Sequence, residues 1–439
     1  MPLIESPEFE NRIGIMFYAT KTEGLGGIIR QKPSDFSVRE VTNRTERAEG
    51  KYMIAELTKE NWDTHNVIRE ISRRLGVSRN RLGFAGTKDK NAVTTQKISI
   101  WNVKEDELAR VKIADVSLRI LGRANKPVSL GDLYGNEFVI VIRAIKGQAE
   151  AINAKIAAIT KEIKDANGVP NFFGVQRFGV SRPITHTVGK HLTRGELKEA
   201  VMSYLSDIFP DESEDAKRAR MLCKAGQLKE ALKIMPAFLR YEKAMLNELV
   251  KPGNEHDFCS AFSALPKNLQ KLFVHAYQAY LFNLVLSARM KRNIGFNEAL
   301  VGDVVCYRNE LGFADQDKAE RVTEDKIDAI NRLLKRGRAF VTASVFGYET
   351  EFAEGVEGEI EREVLETEGV ELDNFRITAL SKISSKGTRR PILVPVSPGT
   401  EGVSDDDMNR GLKKVKLIFF LPKGSYATVV LREYMKNIS

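Results

Sequence analysis

The chain has 439 residues, 42% hydrophobic and 29% charged. That is the composition of an ordinary soluble globular protein of two or three domains, and it excludes a disordered or fibrous chain. Lys and Arg outnumber Asp and Glu by 68 to 59, and the resulting net charge of +9 favours a polyanionic partner, because each neutralised phosphate releases counterions.

The N-terminal stretch MPLIESPEFENR is acidic and lacks a long apolar run, so no signal peptide is expected. Lys32-Pro33-Ser34-Asp35 is a turn signal between two short apolar runs within Gly27 to Val41. Tyr52 to Leu57 reads as a strand. A helix follows, with Thr64 as its expected N-cap, Val67, Ile68, Ile71 and Leu75 on one face, and Gly76 to close it. Leu82 to Ala85 and Lys97 to Trp101 are strand-like and bracket the polar run GTKDKNAVTTQ, Gly86 to Gln96. Phe138 to Ile145 is a strong strand, and Ile152, Ile156, Ile159 and Ile163 then form one helical stripe ending at Asn167-Gly168. From Ser181 to Lys271 the pattern is polar and helix-rich, and from Gly302 to Leu380 it is mixed again. Near the end, Lys414 to Leu421 is an apolar strand, Pro422-Lys423-Gly424 a turn, Ser425 a cap and Thr428 to Met435 a helix. A lone strand and helix cannot bury their own apolar faces, so they are expected to complete the N-terminal sheet across an inserted domain. The expected domains are 1–180, an insertion over 181–389, and 390–439.

Several chemistries lack their residues. Gly86-Thr87-Lys88 is not a phosphate loop, because Asp89 stands where GxxxxGK[ST] needs Ser or Thr. The five histidines form no HExxH or H-x-E pattern, and Cys223, Cys259 and Cys306 are too scattered for a disulfide framework or a CxxC site. No metal and no cofactor is expected, no run is long enough for a membrane span, and a reducing cytoplasm fits.

Two runs remain. Asp89, between Lys88 and Lys90, is either a turn-former or a reactive carboxylate that a nearby cation, best an Arg, would hold in a bidentate fork. In NFFGVQRFG, Asn171 to Gly179, Phe172, Phe173 and Phe178 either fill the core or offer a stacking face for an unstacked base. In the second case Asn171 or Gln176 would read base edges and Arg177 would hold a phosphate.

GFAGTKDKNAVTTQ (Gly83 to Gln96), PNFFGVQRFG (Pro170 to Gly179) and FLPKGSYAT (Phe420 to Thr428) together resemble the TruD-type tRNA pseudouridine synthases. KPSDFSVREV (Lys32 to Val41) and LTKENWDT (Leu57 to Thr64) fit the same family, in the same order along nearly the whole chain. The resemblance implies an α+β protein: a pseudouridine synthase fold with a central bent mixed sheet, plus an inserted α/β domain of the TRUD type. It implies that Asp89 is the catalytic aspartate, that Arg30 pairs with it where the best-known bacterial members carry Lys, and that Phe173 packs on the target uracil beside Asn171. It also implies uridine 13 of tRNA as the target.

On this reading the uridine leaves its stack, Asp89 either attacks C1′ or removes the C2′ proton, and the detached uracil stays in a dry pocket. Lys88, Lys90, Arg177 and the cluster Lys382, Lys386, Arg389 and Arg390 are candidate phosphate contacts. The partner is tRNA, with no membrane and no obligatory protein partner, and the chain is expected to be a monomer. Two other readings use the same composition. One is a non-catalytic RNA-binding or RNA-chaperone protein that keeps the fold. The other is a metal-dependent nuclease built on Asp211, Glu212, Glu214 and Asp215.

Overall fold

The computed structural model describes residues 3–254 and 256–436. The chain divides into two compact units. The first comprises residues 20–169, 310–313 and 394–436, and the second residues 3–19, 170–309 and 314–393. The crossings at 169/170 and 393/394 replace the expected bounds of 180/181 and 389/390, and residues 3–19 join the second unit. Hydrogen bonds explain both differences. Asn171 N donates to Ile392 O at 2.7 Å, which binds the start of the aromatic run into the second unit. Asn283 Nδ2 donates to Ile13 O at 2.9 Å and Ser287 Oγ to Gly14 O at 2.7 Å, which fastens the N-terminal segment to a helix of that unit.

The first unit is built on an eight-stranded mixed sheet. Six of its strands are β1 (Phe36–Thr42), β2 (Tyr52–Glu60), β3 (Leu82–Phe84), β4 (Val93–Trp101), β5 (Val116–Ala124) and β6 (Leu133–Ile145). The order is Gly399–Asp405, Lys413–Pro422, β6, β1, β4, β2, β5, with β3 alongside β4. β1 and β4 run parallel, with Ser37 opposite Val93, whereas β1 and β6 run antiparallel. The late strand Lys413–Pro422 pairs with β6, placing Leu417 opposite Ile140 and Phe419 opposite Phe138. Its apolar run therefore finds a sheet face that its own short segment could not supply.

Helix Thr64–Arg74 covers one face of the sheet. Val67, Ile68 and Ile71, spaced for one helical side, join Met53, Ala55, Leu57, Ile98 and Ile100 in a fully buried cluster. Asp63, not Thr64, caps this helix, accepting from Asn66 N at 3.0 Å. Thr64 instead turns its hydroxyl towards the Asp89 loop. The helix Ala149–Asp165 buries the Ile152, Ile156, Ile159 and Ile163 stripe. At the C-terminal helix Ala427–Met435, Tyr426 rather than Ser425 takes the N-cap position.

The second unit carries a four-stranded sheet in the order Thr388–Pro391, Ala339–Val345, Val304–Arg308, Ala314–Arg321. Its other part is helical, organised on the 25-residue helix Lys267–Lys291. Phe273, Val274, Tyr277, Leu281 and Phe282 of that helix are fully buried. Among the described residues no helix is long and apolar enough to cross a membrane.

Candidate active site

Asp89 lies on the loop between β3 and β4. Gly86 begins the loop with φ of +94°, a backbone state that glycine adopts without steric cost. The loop has no large apolar side chain, so polar anchors fix it. Thr64 Oγ1 accepts from Lys88 N at 3.0 Å, and Gln96 Nε2 donates to Gly86 O at 3.2 Å. From β2, the ammonium of Lys59 donates to Asp89 O at 2.8 Å and to Trp62 O at 2.6 Å. Lys59 is fully buried. Burial is the main reason its pKa falls to about 8, against the raising influence of Asp63 and Asp89.

Lys88 does not reach outward as a phosphate contact. Its side chain is 7% exposed and turns in beneath the loop, donating to Asn136 Oδ1 at 2.9 Å. It stands 3.2 Å from the buried Glu40 Oε2, a charge contact without the alignment of a hydrogen bond. Burial raises the Glu40 pKa, with Lys88 and Lys97 acting against that rise. Lys90 is exposed.

The Asp89 carboxylate stays accessible. Its side chain is 45% exposed, and Oδ2 lies 3.2 Å from Arg30 Nη2. The Arg30 guanidinium also sits 3.9 Å over the Phe36 ring, which confines it to one plane. Arg30 has φ of +61°, a left-handed conformation that costs a non-glycine residue roughly 1–2 kcal/mol. The chain just before it is pinned to β6. Two residues earlier, Ile28 N donates to Arg143 O at 2.9 Å and Arg143 N returns a bond to Ile28 O at 2.8 Å. Gly27 must be glycine, since a Cβ there would come within 2.5 Å of Arg143 O.

Arg143 is itself a buried hub. Its Nε reaches both Asp35 carboxylate oxygens at 2.9 Å, and its Nη1 reaches Asp406 Oδ1 at 2.7 Å and Asp407 Oδ1 at 2.8 Å. Burial alone would raise the Asp406 carboxyl. The N–H of Ala144, the Asn409 amide, the N–H of Met408 and Arg143 outweigh it and hold the group well below the usual carboxylate range. Asp35, the acid of the KPSDF motif, thus serves the architecture that presents Arg30.

The second group of sequence candidates lies in the other unit. Phe172 and Phe178 are core, fully buried, whereas Phe173 is half-buried. Phe173 is held by its backbone: N donates to Asn283 Oδ1 at 2.8 Å and O accepts from Asn283 Nδ2 at 3.0 Å. Its ring meets Phe282 edge-on, with centroids 5.4 Å apart. The Arg390 guanidinium lies 4.2 Å from the ring centroid and that of Arg177 5.8 Å. Asn171 is buried, with its amide donating to Pro391 O at 2.8 Å and accepting from Arg390 Nη2 at 2.5 Å. Its amide therefore braces Arg390 against the aromatic run. Gln176 is exposed on the turn Val175–Arg177.

Of the basic cluster, Arg389 is tied to Thr342, Ser344 and Glu361, and Lys386 pairs with Glu349 at 3.1 Å on the surface. Glu212 pairs with the buried Arg220 at 2.7 Å, so the acidic run is partly a structural ion-pair site. Among the described residues no group of His, Cys, Asp and Glu has the arrangement to hold a metal ion.

Lys59, Glu40 and Thr64 escaped the reading of the sequence as site residues, although two of them stand in LTKENWDT. A lysine in a strand whose neighbours alternate apolar was the available signal.

Comparison with known proteins fits this geometry. The chain matches the family described as tRNA pseudouridine synthase D (TruD) over residues 12–434. It is 50% identical over 431 residues to a protein of Methanococcoides burtonii named "Probable tRNA pseudouridine synthase D", covering 98% of each chain. A protein of the same name from Pyrococcus furiosus is 40% identical over 429 residues, covering 97% of this chain and 99% of its own. A crystal structure described as that of the "Putative tRNA pseudouridine synthase D (TruD)" from Methanosarcina mazei, 49% identical, matches 99% of both chains with a TM-score of 0.90. The chain is therefore a member of the tRNA pseudouridine synthase D family, enzymes that isomerise uridine in tRNA.

Proposed function

We propose that the chain converts uridine 13 in the D arm of tRNA to pseudouridine, with Asp89 as the catalytic carboxylate and no cofactor. The reaction breaks the N1–C1′ bond, turns the uracil and joins C5 to C1′. The proton lost from C5 is balanced by the one gained at N1, so nothing is oxidised and no group is brought from outside. Asp89 acts at the ribose, either as nucleophile at C1′ or as base at C2′. Arg30 orients it. Phe173 gives the extruded uracil a stacking face, which offsets the few kcal/mol that unstacking costs. Asn171 supports that face through Arg390. The protein works as a cytoplasmic monomer, and its inserted unit reads tRNA by shape and backbone, since the grooves of A-form RNA offer side chains little sequence information.

The observation that carries this reading is the Arg30–Asp89 pair, 3.2 Å apart. A left-handed arginine is held against a carboxylate that remains open to solvent. Strained backbone held in this way clusters at functional sites.

The test is pure protein with unmodified tRNA transcript, chelator present, and pseudouridine mapped by base-specific chemical labelling. A single new pseudouridine at position 13, absent with Asp89→Asn although that variant still binds tRNA, is the expected result. Turnover by Asp89→Asn refutes the assignment. Tight binding without product by the wild type favours the RNA-binding reading.

A further inference from the structure

We propose that Lys59 is a positioning residue for Asp89, holding the main chain of the catalytic loop so that the carboxylate meets the ribose in one orientation. The proposal rests on the reading of Asp89 as the catalytic group.

The geometry rests on two bonds from one ammonium. Lys59 is the eighth residue of β2, fully buried, and its ammonium bridges two carbonyls from separate segments. Trp62 O, at 2.6 Å, belongs to the turn that leads into helix Thr64–Arg74, and Asp89 O, at 2.8 Å, belongs to the loop before β4. The residue before Asp89 is fixed independently, through Lys88 N on Thr64 Oγ1 at 3.0 Å and Lys88 Nζ on Asn136 at 2.9 Å. Thr64 Oγ1 also lies 3.4 Å from Lys88 O, the carbonyl just before the Asp89 Cα, and Lys59 holds the carbonyl just after it, so the main chain is anchored on both sides. With the main chain set, the Asp89 Cα–Cβ bond has one direction, and the carboxylate starts from a fixed point beside Arg30.

A lysine suits this place because a long stem can cross the sheet face and carry several donors to carbonyls of two separate segments. Charge strengthens those bonds about twofold over neutral ones. Burial keeps water from competing for the same carbonyls. The groups facing the ammonium are Asp63, Asp89 and Lys88, so the lysine sees one more negative than positive charge.

The decisive measurement is single-turnover pseudouridine formation at saturating enzyme, with tRNA affinity and thermal unfolding measured in parallel. It is made for the wild type, Lys59→Met and Asp89→Asn. Met keeps the length of the stem and removes the donors. For Lys59→Met we expect a 10- to 100-fold lower rate at saturation, tRNA affinity within threefold of wild type, and cooperative unfolding. A rate within threefold of wild type overturns the proposal, as does a loss that lies wholly in affinity. If Asp89→Asn is inactive while Lys59→Met is fully active, only the positioning role fails. If Asp89→Asn is active, the parent reading fails.

Should Lys59→Met not fold, the decision passes to the wild-type rate as a function of pH. A neutral amine keeps two of its three N–H groups, one for each carbonyl, and loses the charge that strengthens those bonds. The rate at saturation should then step down two- to tenfold around pH 8, where the buried ammonium deprotonates, and level off above it. A rate that stays flat to about pH 9.5, well beyond that pKa, overturns the proposal.

Discussion

Removing the Arg30 side chain tests the site at its most exposed contact. Arg30 Nη2 and Asp89 Oδ2 are 3.2 Å apart, and the two side chains are 29% and 45% exposed. With charge centres about 4 Å apart, the attraction is about 1 kcal/mol at the dielectric of water and about 4 kcal/mol at an effective dielectric of 20. The free protein lies near the lower figure, because exposed pairs contribute about 0–1 kcal/mol to stability. Arg30→Ala should therefore change the unfolding free energy by less than about 1 kcal/mol. On the proposed reading bound tRNA displaces water from the pair, and the upper figure then applies to the state that reacts. Losing about 1.4–4 kcal/mol of orientation and charge stabilisation slows the reaction roughly 10- to 1000-fold. The assay is single-turnover pseudouridine formation with tRNA saturated, so that any phosphate contact made by Arg30 appears separately as a change in affinity. Arg30→Lys keeps the charge but not the planar guanidinium that lies over Phe36, and should fall between the wild type and Arg30→Ala. A loss of less than tenfold for Arg30→Ala, or one confined to affinity, refutes the pairing as the source of orientation.

Two further outcomes follow from other parts of the chain. Phe173→Ala should weaken the productive complex by about 1–3 kcal/mol, the usual contribution of one base on one aromatic, while Phe173→Tyr retains most activity; equal activity for both variants in the same assay counts against stacking. His186, enclosed between Phe178 and Tyr280 at centroid distances of 5.4 and 5.1 Å, has its pKa lowered by burial to about 4. The unfolded chain, with an ordinary histidine near 6.5, binds more protons than the folded one between these values. The resulting stability is complete above about pH 6.5 and is lost as pH falls towards 4, by at most about 3 kcal/mol. Denaturant midpoints between pH 7 and 4 should fall for the wild type and fall less for His186→Phe; parallel curves would rule out the contribution.

The parts legible in the sequence were those whose cause is local. The isoleucine stripe at 152, 156, 159 and 163 can only be a helix that buries one side, and all four residues are buried. The apolar late strand needed a sheet, and β6 takes it. What the sequence hid depends on partners far along the chain. Asp63 and Thr64 both carry a cap-forming oxygen, and only the position of Lys88 N decides that Thr64 turns to the loop. Asn171 looks like a reader of base edges until Arg390 and Pro391, some 220 residues on, occupy its amide. Lys88 looks like a phosphate ligand until Glu40 and Asn136 draw it inward. Arg30 belongs to an unremarkable IIRQK run, and neither its left-handed backbone nor the nearby pairing of Ile28 with Arg143 is visible in that run. Residue type signalled polarity correctly in each case; direction came from tertiary structure.

The charges buried under the Asp89 loop have a common reason. A lysine whose pKa falls from 10.5 to about 8 makes the folded state less stable at neutral pH by about 3 kcal/mol than an unperturbed one would. The sign is clear: that destabilisation persists below pH 8 and is relieved as pH rises from about 8 to 10.5, where the unfolded chain still holds the proton. Glu40 is likewise disfavoured by burial. Apolar residues of similar volume in such places are often neutral or stabilising, so folding alone does not account for Lys59, Lys88 and Glu40. Packing could not fix this loop, because residues 86–91, GTKDKN, offer no large apolar side chain to bury. On the proposed role for Asp89, its carboxylate must nonetheless be held within about 0.5 Å of its working geometry. Hydrogen bonds to the main chain are the remaining means, and in a polar loop they persist against water only if their donors come from the dry side, below the sheet face. That requirement places ionisable groups in the core directly beneath Asp89, and it accounts for a loop that is polar and solvent-facing yet anchored on both sides of one residue.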